Sequence, residues 1–222
     1  WKSADGQILQ TIDCGAVGGV SAIKISPDGS FVAAACQDVD HTIKLFSVDD
    51  GSMLATIIGG DKKVLCLAFS EVPITPGPVW RILQGGVKHF RVISYNAATR
   101  AITSKTGGYG ADVRKSHVIC ASSVPMPIGE DGTASGNEFL IGLSDGSLAF
   151  LGRGESKVGA FNPILKGAVN ALYVAKLKEA TPEEPAVLKV VVAGTNGVIK
   201  VLDQELQPER ECALCSVQPC TA

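Results

Sequence analysis

Cys212-Ala213-Leu214-Cys215 followed by Cys220 is the stretch of this sequence that comes nearest to a metal site. A structural zinc takes four Cys or His ligands. No Cys or His follows Cys220, so a full set would need His117 from a distant segment. No metal is therefore expected, and these thiols read as core residues of a further strand. The histidines His41, His89 and His117 and the 22 Asp and Glu residues show no spacing of an acid–base pair, a nucleophilic triad or a ligand set. His41 and His89 stand beside turns, where local hydrogen bonding accounts for them. The glycine pairs Gly18-Gly19, Gly59-Gly60, Gly85-Gly86 and Gly107-Gly108 would cradle a phosphate only where a helix opens behind them, and no helical pattern follows any of them. They read as turns, and no cofactor and no enzymatic activity is expected. What remains is charge on loops: the basic pairs Lys62-Lys63 and Arg114-Lys115, each just ahead of an apolar run, are what an acidic partner would meet.

The elements that position these residues follow from composition. Of 222 residues, 45% are apolar and only 19% charged, with 25 Gly and 11 Pro, which suits many short strands joined by turns. A net charge of −2 gives no global attraction to nucleic acid or to an anionic membrane. No apolar run reaches the length of a membrane span, and no secretory leader pattern opens the chain. With Cys14, Cys36, Cys66 and Cys120 scattered among apolar runs, a reducing, cytoplasmic compartment is expected.

A repeat organises the chain. Thr42–Ser47, Phe90–Ser94, Leu148–Gly152 and Ile199–Asp203 share one alternation, each follows a turn, and each turn follows another apolar run. Asp145-Gly146 and Asn196-Gly197 are tight-hairpin dipeptides. A first strand opens each unit (Val20–Ile25, Val64–Phe69, His117–Ala121, Val169–Val174) and a fourth closes it, most clearly at Ser52–Ile57. The equivalent positions Trp1, Phe46, Ile93, Leu151 and Leu202 are spaced by 45, 47, 58 and 51 residues, which brackets a four-stranded propeller blade with loop insertions. The expected divisions are a closing strand of a preceding blade at 1–12, blades at 13–58, 59–106, 107–160 and 161–207, and a tail or the start of a next blade at 208–222. Phe46, Ile93, Leu151 and Leu202 are expected to be buried between blades.

Ile43–Ser47 and Ile199–Asp203 resemble the end of the third strand of WD repeats, although Phe46-Ser47, Ile93-Ser94, Leu151-Gly152 and Leu202-Asp203 keep the apolar half of the Trp-Asp pair more often than the acidic half. Val64–Ser70, Gly85–Tyr95, Ser144–Gly152 and Lys166–Tyr173 are similar to segments of the echinoderm microtubule-associated protein-like family. That resemblance implies an all-β, WD-type β-propeller of about four blades and a partial one, belonging to a larger or tandem propeller. It also implies a non-catalytic, cytoskeletal module that binds tubulin or microtubules; a general WD scaffold in signalling or ubiquitin transfer would share the same features. The loops entering first strands and those between second and third strands should emerge on one side, gathering Asp38, Asp40, His41, Lys62, Lys63, Lys88, Arg114, Lys115, Asp145 and Asn196. Unpaired blade edges at the ends would favour self-association.

Overall fold

The computed structural model describes residues 7–8, 10–15, 18–74, 78–109, 116–127, 134–159, 161–178 and 187–213. Among these residues there are sixteen strands and no helix. Four antiparallel four-stranded sheets follow one another along the chain. The first is Val20–Ile25 (β1), Phe31–Cys36 (β2), Ile43–Ser47 (β3) and Met53–Ile57 (β4). The second is Val64–Phe69 (β5), Val79–Gly86 (β6), His89–Asn96 (β7) and Ile102–Thr106 (β8). The third is Val118–Ser123 (β9), Asn137–Leu143 (β10), Ser147–Gly152 (β11) and Phe161–Pro163 (β12), and the fourth is Val169–Lys178 (β13), Val187–Gly194 (β14), Val198–Leu202 (β15) and Pro208–Ala213 (β16). Within each sheet, strands adjacent in sequence are adjacent in space. Hairpins alone build every sheet, and β1, β5, β9 and β13 touch in succession, a propeller-like arrangement.

Two expected boundaries move. Phe161–Pro163 pairs with β11 through Leu148↔Asn162, so the third unit ends beyond residue 160. Pro208–Ala213 pairs with β15 through Lys200↔Glu211 and closes the fourth sheet, so it is neither a tail nor the start of a further unit. Both strands are edge strands, and every residue of β16 is exposed, so neither carries a burial pattern. The described part of 1–12, residues 7–8 and 10–12, forms no strand. The chain instead lies against the first sheet, where Lys44 Nζ donates to the Cys14 carbonyl at 2.6 Å.

Each seam between sheets is an apolar layer formed by the alternating faces of two neighbours. Ala33, Ala35, Ile43 and Leu45 meet Val64, Ile82 and Ile93; Leu83, Phe90 and Val92 meet Phe139, Ile141 and Leu151; Leu140 and Leu148 meet Val169, Val192 and Leu202. Ile93, Leu151 and Leu202 thus lie between sheets. Phe46 is buried too, but it belongs to the side of the first sheet that, among the described residues, meets no other sheet. It lines an apolar groove of about 490 Å³ together with Ile12, Val20, Ile23 and Val32.

One local device recurs in all four sheets. A register shift in the first strand separates a valine from a small residue two positions on: Val20/Ala22, Val64/Cys66, Val118/Cys120 and Val169/Ala171. Such a bulge sharpens the local twist. The small residue faces another across the hairpin, giving the pairs Ala22↔Ala35, Cys66↔Gly85, Cys120↔Gly142 and Ala171↔Ala193. The valine of the following sheet sits in the notch these pairs make. A Cβ on Gly85 would meet Val118 Cγ1 at 2.4 Å and Cys66 Sγ at 2.6 Å, and one on Gly142 would meet Val169 Cγ1 and Cys120 Sγ, both at 2.7 Å. Sulfur on the first strand is thus compensated by a missing methyl on the second, and where the first strand has Ala the second has Ala.

Candidate functional site

The turns between second and third strands and the loops leading into first strands are joined by one repeated backbone bond. Gln37 N donates to Gly19 O (2.9 Å), Val87 N to Lys63 O (3.1 Å), Ser144 N to His117 O (3.0 Å) and Thr195 N to Ala168 O (3.0 Å). These loops therefore share one end of the sheets and form a rim. The loop from the first to the second sheet is held at that rim from both sides: Gly59 N and Gly60 N donate to Asp40 O, Gln84 Nε2 donates to Gly59 O at 2.7 Å, and Arg91 Nη1 donates to Ile58 O at 3.0 Å. Gln84 Nε2 also lies 3.2 Å from His89 Nε2, and His89 Nδ1 lies 3.2 Å from Val87 O. Burial keeps the His89 imidazole below its ordinary pKa, against the pull of the Val87 carbonyl, so it serves neutral as a hydrogen-bonding post.

Two of the rim's acids, Asp38 and Asp145, are occupied in turns, while the side chains of Asp40 and Asp61 are exposed. Asp38 Oδ1 accepts from Thr42 N at 2.8 Å, and the Thr42 hydroxyl on the same carboxylate lowers its pKa. For Asp145, burial raises the pKa, but hydrogen bonds from Ser116 Oγ (2.6 Å) and Ser147 N (3.0 Å) outweigh it and the carboxyl ends below its ordinary value. Asn196 Oδ1 accepts from Val198 N in the matching turn of the fourth sheet. Asp203 faces the other end, where it accepts from Glu205 N and Gln207 N in the β15–β16 turn.

The cations are arranged differently. Lys62, Lys63 and Lys88 are exposed, and the bond from Val87 N to Lys63 O lays the turn that carries Lys88 against the loop that carries the other two. His41 and Lys88 have φ of 46° and 58°, and the matching turn positions of the third and fourth sheets are Gly146 (90°) and Gly197 (72°). Left-handed backbone costs a side-chain-bearing residue roughly 1 kcal/mol or more. Two of the expected rim residues thus carry side chains where the repeat elsewhere has glycine. Trp1, Arg114, Lys115, Cys215 and Cys220 lie outside the described residues.

Cys212 is exposed on the outermost strand of the fourth sheet and so is not a core thiol. Among the described residues no three His, Cys, Asp or Glu side chains gather as metal ligands do. Cys66 and Cys120 donate to the carbonyls of Val118 and Val169 across the seams. Burial pushes the Cys120 thiol up to about 12 and Cys66 up as well, so both stay protonated and unreactive.

Sequence reasoning passed over the buried ionic cluster at the other end of the second seam. Arg81 Nη1 lies 2.5 Å from Glu138 Oε2, Arg153 Nη1 lies 4.0 Å from Glu138 Oε1, and Arg81 Nη2 donates to Glu155 O at 2.6 Å. Glu138 is 0% and Arg81 4% exposed. Burial draws both toward their neutral forms, Glu138 upward and Arg81 downward in pKa, and each opposes that by its charge on the other. The available signal was a charge inside an apolar run, Arg81 after Trp80 and Glu138 before Phe139. No protein-family model matches the chain, and no curated protein matches it significantly.

Proposed function

We propose that these sheets are blades of a WD-type β-propeller, and that the chain is a non-catalytic interaction module of a microtubule-associated protein, meeting the acidic surface of tubulin with its turn-bearing rim. The observation that carries this reading is the group of exposed lysines Lys62, Lys63 and Lys88, the last held in a left-handed turn position where two other sheets have glycine. Asp38 and Asp145 are engaged in turn hydrogen bonds, while Lys62, Lys63 and Lys88, like Asp40 and Asp61, are exposed. The resemblance of Val64–Ser70, Gly85–Tyr95 and Lys166–Tyr173 to the echinoderm microtubule-associated protein-like family supports tubulin as the acidic partner. Arg114 and Lys115 extend the same basic character in sequence.

Each exposed lysine contributes little alone, on the order of 1 kcal/mol or less, but several together steer encounter in a salt-dependent way. Co-sedimentation with taxol-stabilised microtubules tests the reading. Saturable binding at low salt that weakens at high salt is expected, with the triple change Lys62→Glu, Lys63→Glu, Lys88→Glu abolishing it while the melting temperature holds. Binding unaltered by the triple change would reject the rim. No sedimentation of the folded chain at low salt would reject tubulin and favour a general WD adaptor.

A further inference from the structure

The loop between β4 and β5 is seated by one side-chain amide whose two neighbours can make opposite demands on it. Gln84 is fully buried and points its Nε2 at Gly59 O (2.7 Å) and at His89 Nε2 (3.2 Å). A carbonyl oxygen only accepts, so the N–H side of the amide must face Gly59. On the far side of the imidazole, Nδ1 lies 3.2 Å from Val87 O, which also only accepts. Nδ1 therefore carries the proton of the neutral ring, and Nε2 is left to accept from Gln84. The buried Gln84 Oε1 has no hydrogen-bond partner among the described residues, so the amide is held this way round for its N–H side alone. A proton on His89 Nε2 makes that atom a donor facing a donor. Turning the amide to offer Oε1 to the imidazolium sets the same oxygen against Gly59 O. Charged His89 and a seated Gly59 thus exclude each other in this geometry.

We propose that His89 is a proton-operated latch on the rim: neutral, it keeps the N–H side of Gln84 on Gly59, and protonated, it takes that amide away and loosens residues 59–62. The proton comes from solvent to Nε2, and only hydrogen bonds are exchanged. The loop stays tethered where Arg91 Nη1 donates to Ile58 O and Val87 N to Lys63 O. Between those tethers the remaining hold is weak, since Gly59 N and Gly60 N share the single acceptor Asp40 O at 3.2 and 3.1 Å. The charges around the ring do not replace the lost bond. Burial is the main cause of the lowered pKa of His89; the Val87 carbonyl and Asp61 oppose it, and Arg91 and Lys62 add to it. Lys63 and Lys88 are exposed, and from the first sheet His41 borders Gly59, whose Cβ, if present, would meet the His41 carbonyl oxygen at 2.0 Å. A histidine disfavoured in its charged form by the seated loop makes the seating weaken as pH falls: it is complete above the ordinary value of about 6.5 and is lost through the lowered one. The latch is a property of the fold; its effect on a partner rests on the rim reading proposed above, since loosening residues 59–62 moves Lys62 relative to Lys63 and Lys88.

Nuclear magnetic resonance of the full chain from about pH 7.5 to about pH 5, across the ordinary histidine range, tests it, with circular dichroism to verify folding. Order parameters of the 59–62 amides should fall from about 0.85 to below about 0.6 with the midpoint of the His89 ring, while β6 and β7 stay rigid. His89→Leu should keep 59–62 rigid throughout, and His41→Asn should leave the transition in place. Gln84→Glu, which offers only acceptors, should loosen 59–62 at neutral pH and raise the His89 midpoint; if it fails to fold, the two histidine variants carry the test. A His89 that titrates with 59–62 unmoved, its ring merely turning out to solvent, overturns the latch. So does a His89 that stays neutral until the chain unfolds, or a loosening that survives His89→Leu or disappears with His41→Asn. Co-sedimentation over the same pH range separates the two readings: a chain that shows the transition but never binds microtubules rejects tubulin and leaves the latch standing, and one that binds without the transition rejects the latch alone.

Discussion

The seam between the second and third sheets and the free side of the first sheet are built from the same repeat positions, but they have different chemistry. At the seam, Leu151 lies in the apolar layer, Val118 fills its notch, and at the rim-distal end Glu138 is enclosed with Arg81 and Arg153. On the free side, Phe46 occupies the position of Leu151 and Val20 that of Val118, yet both line an open groove crossed, among the described residues, by a strandless segment held by Lys44. Register alone decides that a side chain points toward the preceding sheet; the presence of that sheet decides how much stability the side chain contributes. Stability in such an array is a sum over neighbouring units and their contacts, so equivalent substitutions should differ in cost according to whether a neighbour is there.

The largest difference should come from the buried ions. Glu138→Gln leaves Arg81 enclosed without a countercharge, and breaking a buried pair in this way typically costs about 3–5 kcal/mol. Replacing both, as Arg81→Met with Glu138→Leu, removes the uncompensated charge and should restore most of the loss. Urea unfolding measures both, and a cost below about 1 kcal/mol for Glu138→Gln would mean that water or rearrangement already relieves the pair. On the free side, Lys44→Met removes a partly buried bond to a carbonyl and should cost about 1 kcal/mol.

Next comes truncation at the shared register position. Ile93→Ala opens a closed cavity between the first and second sheets and should cost about 2–5 kcal/mol. Phe46→Ala removes a larger side chain from an open groove, losing burial without leaving a sealed void, and should cost about 1.5–3 kcal/mol in the monomer. The comparison fails if the phenylalanine proves the costlier of the two at concentrations where the chain is monomeric.

The notch gives a smaller and more specific effect. Gly85→Ala puts a methyl 2.4 Å from Val118 Cγ1 and 2.6 Å from Cys66 Sγ, overpacking that costs roughly 1–3 kcal/mol. Adding Cys66→Ala recreates the Ala/Ala pair found in the first and fourth sheets, so the double variant should recover much of the loss, a coupling that unfolding of the four chains of a double-mutant cycle reads directly. Additive costs would show that Cys66 and Gly85 do not share the space.

Much of this architecture is readable in the chain. First, second and third strands show as alternating apolar runs punctuated by turns, and the shared position of Phe46, Ile93, Leu151 and Leu202 is visible as a period. The closing strands β8, β12 and β16 are harder because they lie at sheet edges: β12 has three residues and β16 no buried one, so burial leaves no pattern in them. The rim's membership follows from hairpin topology, which is why Lys62, Lys63 and Lys88 could be grouped from turns alone. Arg81 and Glu138 could not, because what joins them is the packing of one sheet on the next. The notch was also invisible for that reason. Val-x-Ala and Val-x-Cys recur at the head of each first strand, but nothing in one strand says that the valine belongs to the preceding sheet and the small residue to the following one.

The smallest expected effect concerns the turn position that separates the lysine-bearing second sheet from the glycine-bearing third. Lys88 stands at φ 58° and Gly146 at φ 90° in equivalent turns. At Gly146 the requirement is absolute, since a Cβ there would lie 2.1 Å from Leu165 O. At Lys88 it is only conformational: the side chain is exposed, and left-handed backbone costs it roughly 1–2 kcal/mol. Lys88→Gly relieves that cost but gives the unfolded chain more freedom, which takes back about 0.4–1 kcal/mol. The net should be a gain of about 0.5–1 kcal/mol, a rise in melting temperature of roughly 1–4 °C for a chain of this size. Lys88→Ala keeps the left-handed strain and should show no such gain, so the pair of variants separates backbone relief from loss of the charge. If Lys88→Gly raises the melting temperature while weakening microtubule co-sedimentation, the lysine is held in its turn at the expense of stability for the sake of contact. A variant that is more stable and binds as before would leave the rim's other lysines to make the contact, and one that is no more stable would mean that the turn is not strained.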